Sequence, residues 1–222
     1  MGIRLQVSPR VAMLKLLIRL ALHFNFHATL RTAAKLEYGA GIFCFKLAIR
    51  AEDEGHMDLA KFLKRQYTEE DSHARMLGGV VDGNDRIRRN CPSGIWKKGS
   101  YQEDGTWKKG NYQFLDGISQ RYWAAKLFFW FKKPEELEWA DILAFMCVIE
   151  SQVAKFYEVL KQSDDEIVSA IANKILSDET EHAHSLKKFL CCFHQKPEAI
   201  CMKWHLRVAL AFVGGSIDLV SH

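Results

Sequence analysis

The chain has 222 residues, 48% of them hydrophobic and 26% charged. That suits one well-packed domain and excludes wholesale disorder. A net charge of +4 is too mild for a nucleic-acid binder.

The basic charge gathers at the start, where Arg4, Arg10, Lys15, Arg19, Arg31 and Lys35 all precede the first acid, Glu37. Residues 1–28 read as a basic amphipathic segment, helical from Arg10 to Phe26, with Ser8 as cap and Pro9 at the first helical position. Lys15 and Arg19 interrupt its apolar run, so it is not a typical secretory signal. No stretch is long and uncharged enough to span a membrane. Such a helix can lie on a membrane surface or act as a transit-like leader.

Residues 29–78 form the first predicted helix pair. One helix runs from Thr29 to Asp53, Glu54-Gly55-His56 breaks it, and the next runs from Asp58 to Leu77, where Gly78-Gly79 ends it. Residues 80–133 are an insertion rich in Gly, Trp, Tyr and Lys. It holds a repeat, Gly94-Ile95-Trp96-Lys97-Lys98-Gly99 and Gly105-Thr106-Trp107-Lys108-Lys109-Gly110, with Asp104-Gly105 as a turn signal. That predicts a β-hairpin, either a solvated flank or a contact for acidic lipid headgroups or a reductase. Tyr122 to Phe131 is a short apolar helical stretch.

The second pair spans residues 135–193. It comprises Glu135 to Lys161, a loop in which Ser163 can cap the next helix, and that helix, Glu166 to Phe193. Lys196-Pro197 then breaks the chain, and a last helix covers 197–219, interrupted or ended at Gly214-Gly215. The apolar run from Ala209 to Val220 suits membrane docking, core packing or a homodimer contact. The six cysteines form no C-x-x-C pair, which points to a reducing compartment without disulfides.

Two strings carry the chemistry: Glu70-Asp71-Ser72-His73-Ala74 and Glu179-Thr180-Glu181-His182-Ala183. Each is Glu-x-x-His-Ala with a leucine three residues on, and residues three apart share a helix face. Glu181 and His184 offer a second frame, but the Ala and Leu align Glu179 and His182 with Glu70 and His73. The helix before each string carries one acid in apolar surroundings, Glu37 and Glu150. A buried lone carboxylate is costly unless paired or metal-bound.

Hairpin geometry tests the grouping. The midpoint of 37 and 70 falls at Asp53-Glu54, and that of 150 and 179 at Asp164-Asp165. Both pairs therefore sit level within their hairpins, roughly 22 to 25 Å from the turns. Packed together, the hairpins bring Glu37, Glu70, His73, Glu150, Glu179 and His182 to one point. That is the ligand set of a carboxylate-bridged pair of iron or manganese ions. The predicted class is all-α: a four-helix bundle with an extra helix at each end and an inserted β-hairpin-like segment between the helix pairs.

At these residues the chain resembles the demethoxyubiquinone hydroxylase family of ferritin-like di-iron proteins. The likeness rests on Glu37-Tyr38-Gly39-Ala40, Glu70-x-x-His73, Glu150 with Ala154 and Tyr157, Asp178-Glu179-x-Glu181-His182, and the Arg207-Val208-Ala209 helix. It covers about residues 30 to 77 and 136 to 219. The chain departs from that family at Ala33-Ala34, where the family has Asp-His, at Lys155-Phe156, and in the 80–133 insertion. The resemblance implies a single ferritin-like domain over 1–222 and a di-iron monooxygenase or hydroxylase. Such an enzyme activates O2 to oxidise a small lipophilic, quinone-like substrate. It implies two iron ions, an external electron donor and a cytoplasmic location with peripheral membrane contact. A rubrerythrin- or ferritin-like ferroxidase or peroxidase is the second reading, and a non-catalytic adaptor the third.

Tyr157 follows Glu150 by two helical turns on the same face and is the candidate catalytic tyrosine, as hydrogen-bond donor or redox-active group. Tyr38 reads as packing. Gly39 and Gly41 either thin the helix beside a substrate channel or allow close packing. Metal-bound imidazoles need a carboxylate or carbonyl on the other ring nitrogen, and Asp71 and Asp178 are candidates.

Overall fold

The computed structural model describes residues 9–81, 100–101, 107–108 and 137–220. These are mostly helical, with short turns between the helices and one two-residue strand pairing. The helices are α1 (Pro9–Phe24), α2 (Phe26–Asp53), α3 (Met57–Val81), α4 (Trp139–Leu160), α5 (Glu166–Phe193) and α6 (Pro197–Val220). β1 (Ser100–Tyr101) and β2 (Trp107–Lys108) pair antiparallel. These four residues fall short of the expected β-hairpin. The rest of that reading, and the helix expected over Tyr122–Phe131, lie outside the described residues.

Local chemistry sets most helix ends. The Asn25 side chain accepts from Ala28 N at 3.1 Å and starts α2. Gly55, at φ +80°, makes the turn into α3, a region costly for side chains with a Cβ. Asp165, not Ser163, caps α5, accepting from the amides of Ile167 and Val168 at 2.9 and 3.1 Å. Its oxygen stands immediately ahead of the free amides of the first turn.

Three predicted boundaries move. Gly78-Gly79 does not end α3, which continues to Val81. Glycine costs a helix only about 1 kcal/mol, and Val80 and Val81 pack against the core. Gly214-Gly215 likewise lies inside α6. α4 begins at Trp139 rather than Glu135, because Arg50 Nη1 donates to the Leu137 carbonyl at 2.7 Å and Glu138 is extended.

Helix α2 packs along α3, and α4 along α5, as two hairpins that meet through α3 and α5. α1 lies on α2 and α4, and α6 on α4 and α5. The fully buried Trp204 anchors α6, its indole donating to Asp141 at 2.8 Å. Among the described residues, no helix is long and apolar enough to cross a membrane.

Among the described residues, two large apolar clusters make up most of the core. One joins Leu47, Ala51 and Leu63 of the first hairpin to Ile142, Leu143, Leu186 and Leu190 of the second. The other joins Leu30, Ala34 and Leu77 to Leu160, Val168 and Ile175. Ala51 and Leu59 flank the first hairpin's turn, whereas Leu160 and Val168 flank the second's, so the turns point to opposite ends. Fully burying a leucine is worth about 1.5–3 kcal/mol, so these clusters can carry a costly polar layer between them.

Candidate metal centre

That layer consists of the residues singled out in the sequence. On each helix the polar position falls between members of the two clusters: Glu37 between Ala34 and Cys44, Glu70 and His73 between Leu63 and Leu77. Glu150 falls between Val148 and Tyr157, and Glu179 with His182 between Ile175 and Leu186. All six are buried, from 0% exposure for Glu70 and Glu179 to 5% for Glu37 and Glu150.

Their ligand atoms form two overlapping groups, each within 4.8 Å: Glu37, Glu70, His73 and Glu179, then Glu70, Glu150, Glu179 and His182. Each group is chemically able to hold a metal ion. Glu70 and Glu179 belong to both, and each group adds one further carboxylate and one imidazole.

The imidazoles point the same way. His73 Nδ1 faces inward, 3.1 Å from Glu179 and 3.4 Å from Glu70. His182 Nδ1 lies 3.3 Å from Glu70. Neither Nδ1 is in line for a hydrogen bond, and Glu70 Oε2 and both Glu179 oxygens also lack partners. An unsatisfied buried polar atom costs about 1–3 kcal/mol, more if charged. A divalent cation in each group would answer these atoms, and carboxylates with imidazoles are hard-to-borderline donors suited to iron or manganese.

The outward nitrogens are held by carboxylates on the opposite hairpin. His73 Nε2 meets Asp178 Oδ2 at 3.0 Å, and His182 Nε2 meets Glu69 Oε2 at 2.7 Å. Lys174 holds Asp178 at 2.5 Å, and Arg65 lies 3.8 Å from Glu69, each basic residue four positions ahead of its acid. Asp178 was expected here; Asp71 was not correct, because it pairs with Arg75 on its own helix. Two residues ahead of His73, it points off the shared face. Glu69 takes the role, and aligning it with Asp178, one residue before each ligand glutamate, would have found it. The Glu181/His184 frame also falls away: Glu181 binds Arg65 at the surface and His184 lies off the ligand face.

Sequence reasoning missed Gln66. It is fully buried, and its Nε2 donates to Glu150 at 2.7 Å and Glu70 at 3.3 Å. Lying four residues before Glu70, it was findable as a polar residue on the ligand face. Tyr157 is also fully buried, and its hydroxyl donates to Glu37 Oε1. Tyr38 packs with Ala74 and Ile42. Gly41 lets α2 approach α3 beside the cluster, since a Cβ there would meet Glu70 Cβ at 3.2 Å and the Tyr67 carbonyl at 3.3 Å.

The electrostatics are those of acids that want positive charge. Burial, then neighbouring carboxylates, push Glu150 well above the usual range, and burial does the same for Glu37 against the pull of His73. Burial would raise Glu70, but the two imidazoles outweigh it and hold it below the range. Burial would lower His73, yet Glu179, Glu37 and Glu70 hold it up to about 12. His182 is held up to about 10 in the same way, against burial, by Glu179 and Glu70.

No protein-family model, curated protein or solved structure matches the chain.

Proposed function

We propose that this chain is a ferritin-like di-iron carboxylate oxidoreductase, a monooxygenase or hydroxylase akin to the demethoxyubiquinone hydroxylases. The observation that carries this is the sharing of Glu70 and Glu179 by two adjacent ligand groups. Glu37 and His73 would hold one iron, Glu150 and His182 the other, with Glu70 and Glu179 between them; manganese would suit the same donors. A metal pair of this kind supplies reductive activation of O2 coupled to oxidation of an organic substrate.

The chain's own residues prepare the site. Asp178 and Glu69 keep the imidazoles in the tautomer whose Nδ1 is free to ligate. Gln66 orients Glu150 and Glu70. Tyr157 is a positioning residue, setting the rotamer and basicity of Glu37. The two apolar clusters exclude bulk water and favour a small lipophilic substrate. Electrons come from an external donor, since the chain has no Gly-x-Gly-x-x-Gly fingerprint or C-x-x-C module. Exposed Leu16, Leu17, Leu20 and Phe24 on α1 support contact with a membrane surface where such a substrate partitions.

The test is anaerobic iron(II) loading, then exposure to O2 with lipophilic quinone-type substrates and a chemical reductant, with mass analysis of products. A hydroxylated product is expected. Rapid iron oxidation without organic product would favour the ferroxidase reading. Well under one iron per chain after loading would sink the metal assignment, as would full iron retention by Glu150→Ala.

A further inference from the structure

Among the described residues, six buried side-chain polar atoms have no hydrogen-bond partner. Five belong to the ligands His73, His182, Glu70 and Glu179, which a metal pair would engage. The sixth is Gln66 Oε1, which the ligand set leaves out. The rest of that amide is fixed. Gln66 is fully buried, and its Nε2 donates to Glu150 at 2.7 Å and to Glu70 at 3.3 Å. As metal ligands both carboxylates are ionised and can only accept, so a reversed amide would set its oxygen against two acceptors. The carbonyl oxygen is therefore the half of the amide turned to something else, and a buried acceptor without a donor is costly.

The surroundings say what kind of donor fits. Gln66 lies between Leu63 and Glu70 on α3, at the border of the metal layer and the first apolar cluster. Glu37 and Glu150 are each 5% exposed, whereas the other four ligands are at most 1% exposed. Those two acids stand on α2 and α4, and the hairpins meet through α3 and α5, so the layer is most accessible between α2 and α4. On the first-cluster side of that opening the Phe43 and Phe145 rings bridge the two helices, 6.2 Å apart and edge to face. A molecule entering there meets apolar walls first and the Gln66 amide at the inner wall.

We propose that Gln66 is a specificity-determining residue of the substrate site, its Oε1 accepting a hydrogen bond from the hydroxyl of an otherwise apolar substrate. This deepens the di-iron reading and rests on it. It narrows the substrate class to phenols, hydroquinones and alcohols. A quinone or a plain hydrocarbon has no O–H to offer and would leave the oxygen stranded. A site built to hydrogen-bond a substrate hydroxyl discriminates against the analogue that lacks it, because its own buried group is then unpaired. The same amide holds Glu150 through its nitrogen, so it ties the position of the hydroxyl to that of a metal ligand.

The experiment loads the full-length protein with iron(II) anaerobically, counts iron in the same sample, and titrates 4-propylphenol and its methyl ether, 4-propylanisole, by calorimetry. The ether keeps the ring and the tail but cannot donate. The phenol should bind roughly tenfold more tightly, and Gln66→Met, which keeps the length and removes both amide atoms, should bring the two within about twofold. A glutamine that only orients Glu150 would weaken iron binding in that variant yet leave the phenol preference as it was, and that result overturns the proposal. Equal affinities in the wild type overturn it too, since a water molecule would then be what satisfies the oxygen. If Gln66→Met does not fold or load, a crystal structure of the wild-type phenol complex decides: the phenol oxygen should lie within hydrogen-bond distance of Gln66 Oε1, and any other position overturns the proposal. A sample that takes up no iron sinks the di-iron reading and the subsite with it, whereas a loaded sample without the phenol preference sinks the subsite alone.

Discussion

His73 donates from Nε2 to the carboxylate of Asp178, 3.0 Å away on the other hairpin. An ionised carboxylate can only accept, so the proton sits on Nε2 and Nδ1 is left to face the cluster. His182 and Glu69 repeat the arrangement in reverse. Asp178→Ala should therefore weaken metal binding by about 10- to 100-fold while leaving all six ligands in place. Anaerobic iron(II) titration measures it, and Glu69→Ala should act alike. Unchanged affinity in both variants would show that the outer carboxylates do not orient the imidazoles.

Metal binding should be strongly pH-dependent. In the metal-free protein His73 is held up to about 12 and His182 to about 10, so both imidazoles must lose a proton to ligate. Their contribution to metal-free stability is full below the unfolded value of about 6.5 and is lost as pH climbs through the folded values. The rise in Tm on metal loading should accordingly grow with pH until those folded values are approached. Each proton displaced adds up to about tenfold in affinity per pH unit, and a pH-stat should record release of protons as iron(II) is added anaerobically.

Glu150→Gln should stabilise the metal-free protein and abolish metal binding. Burial and the charges of Glu179 and Glu70 raise this acid well above its usual range, so its ionisation opposes folding as pH rises. The amide keeps the shape, and its oxygen can still accept from Gln66. The gain should be near zero below about pH 4.5 and grow as pH rises above it, where the unfolded carboxyl ionises and the buried one resists. Chemical denaturation across that pH range tests it.

Tyr157→Phe removes the only polar atom that this side chain brings to Glu37. A lost buried hydrogen bond should cost about 1–3 kcal/mol of metal-free stability. A donor favours the ionised carboxylate, so its loss raises Glu37 and should move iron uptake to higher pH. A purely packing role for the tyrosine would leave the uptake profile where it was.

Gly41→Ala should loosen the site from the side. The new Cβ meets the Tyr67 carbonyl at 3.3 Å, and backbone yields poorly. Overpacking costs about 1–3 kcal/mol, against roughly 1 kcal/mol recovered in helix propensity. A small net destabilisation with weaker iron binding is expected from thermal melts and titration.

The ligand residues were legible because helical spacing and hairpin level are strict: Glu70 and His73 share a face by geometry, and Glu37 can reach them only if the turn falls midway. The frame of Glu179 and His182 followed from its match to Glu70 and His73. Helix ends were less legible. Gly78-Gly79 looked like a stop, but packing of Val80 and Val81 outweighs a small propensity cost. The start of α4 depends on Arg50 reaching Leu137, a contact between residues far apart in the chain. Gln66 and Glu69 carried fainter marks: Gln66 shares the ligand face four residues before Glu70, and Glu69 stands one residue before its glutamate as Asp178 does, but on a mostly charged helix neither stands out by residue type.

The opposed turns of the two hairpins also govern the connection between them. Trp139 lies beside the first turn, its indole 2.5 Å from Glu54, whereas Val81 packs near the second. α3 has 25 residues and so carries the chain about 37 Å away from where α4 must begin. A short loop would force the second hairpin to enter upside down, placing Glu179 and His182 in reverse order against Glu70 and His73. Roughly eleven extended residues are the least that could make the return. The segment 82–138 therefore does more than interrupt the helices: its length permits the exchange of carboxylates between the hairpins, and trimming it below that reach would cost the centre its two-fold correspondence before touching a single ligand.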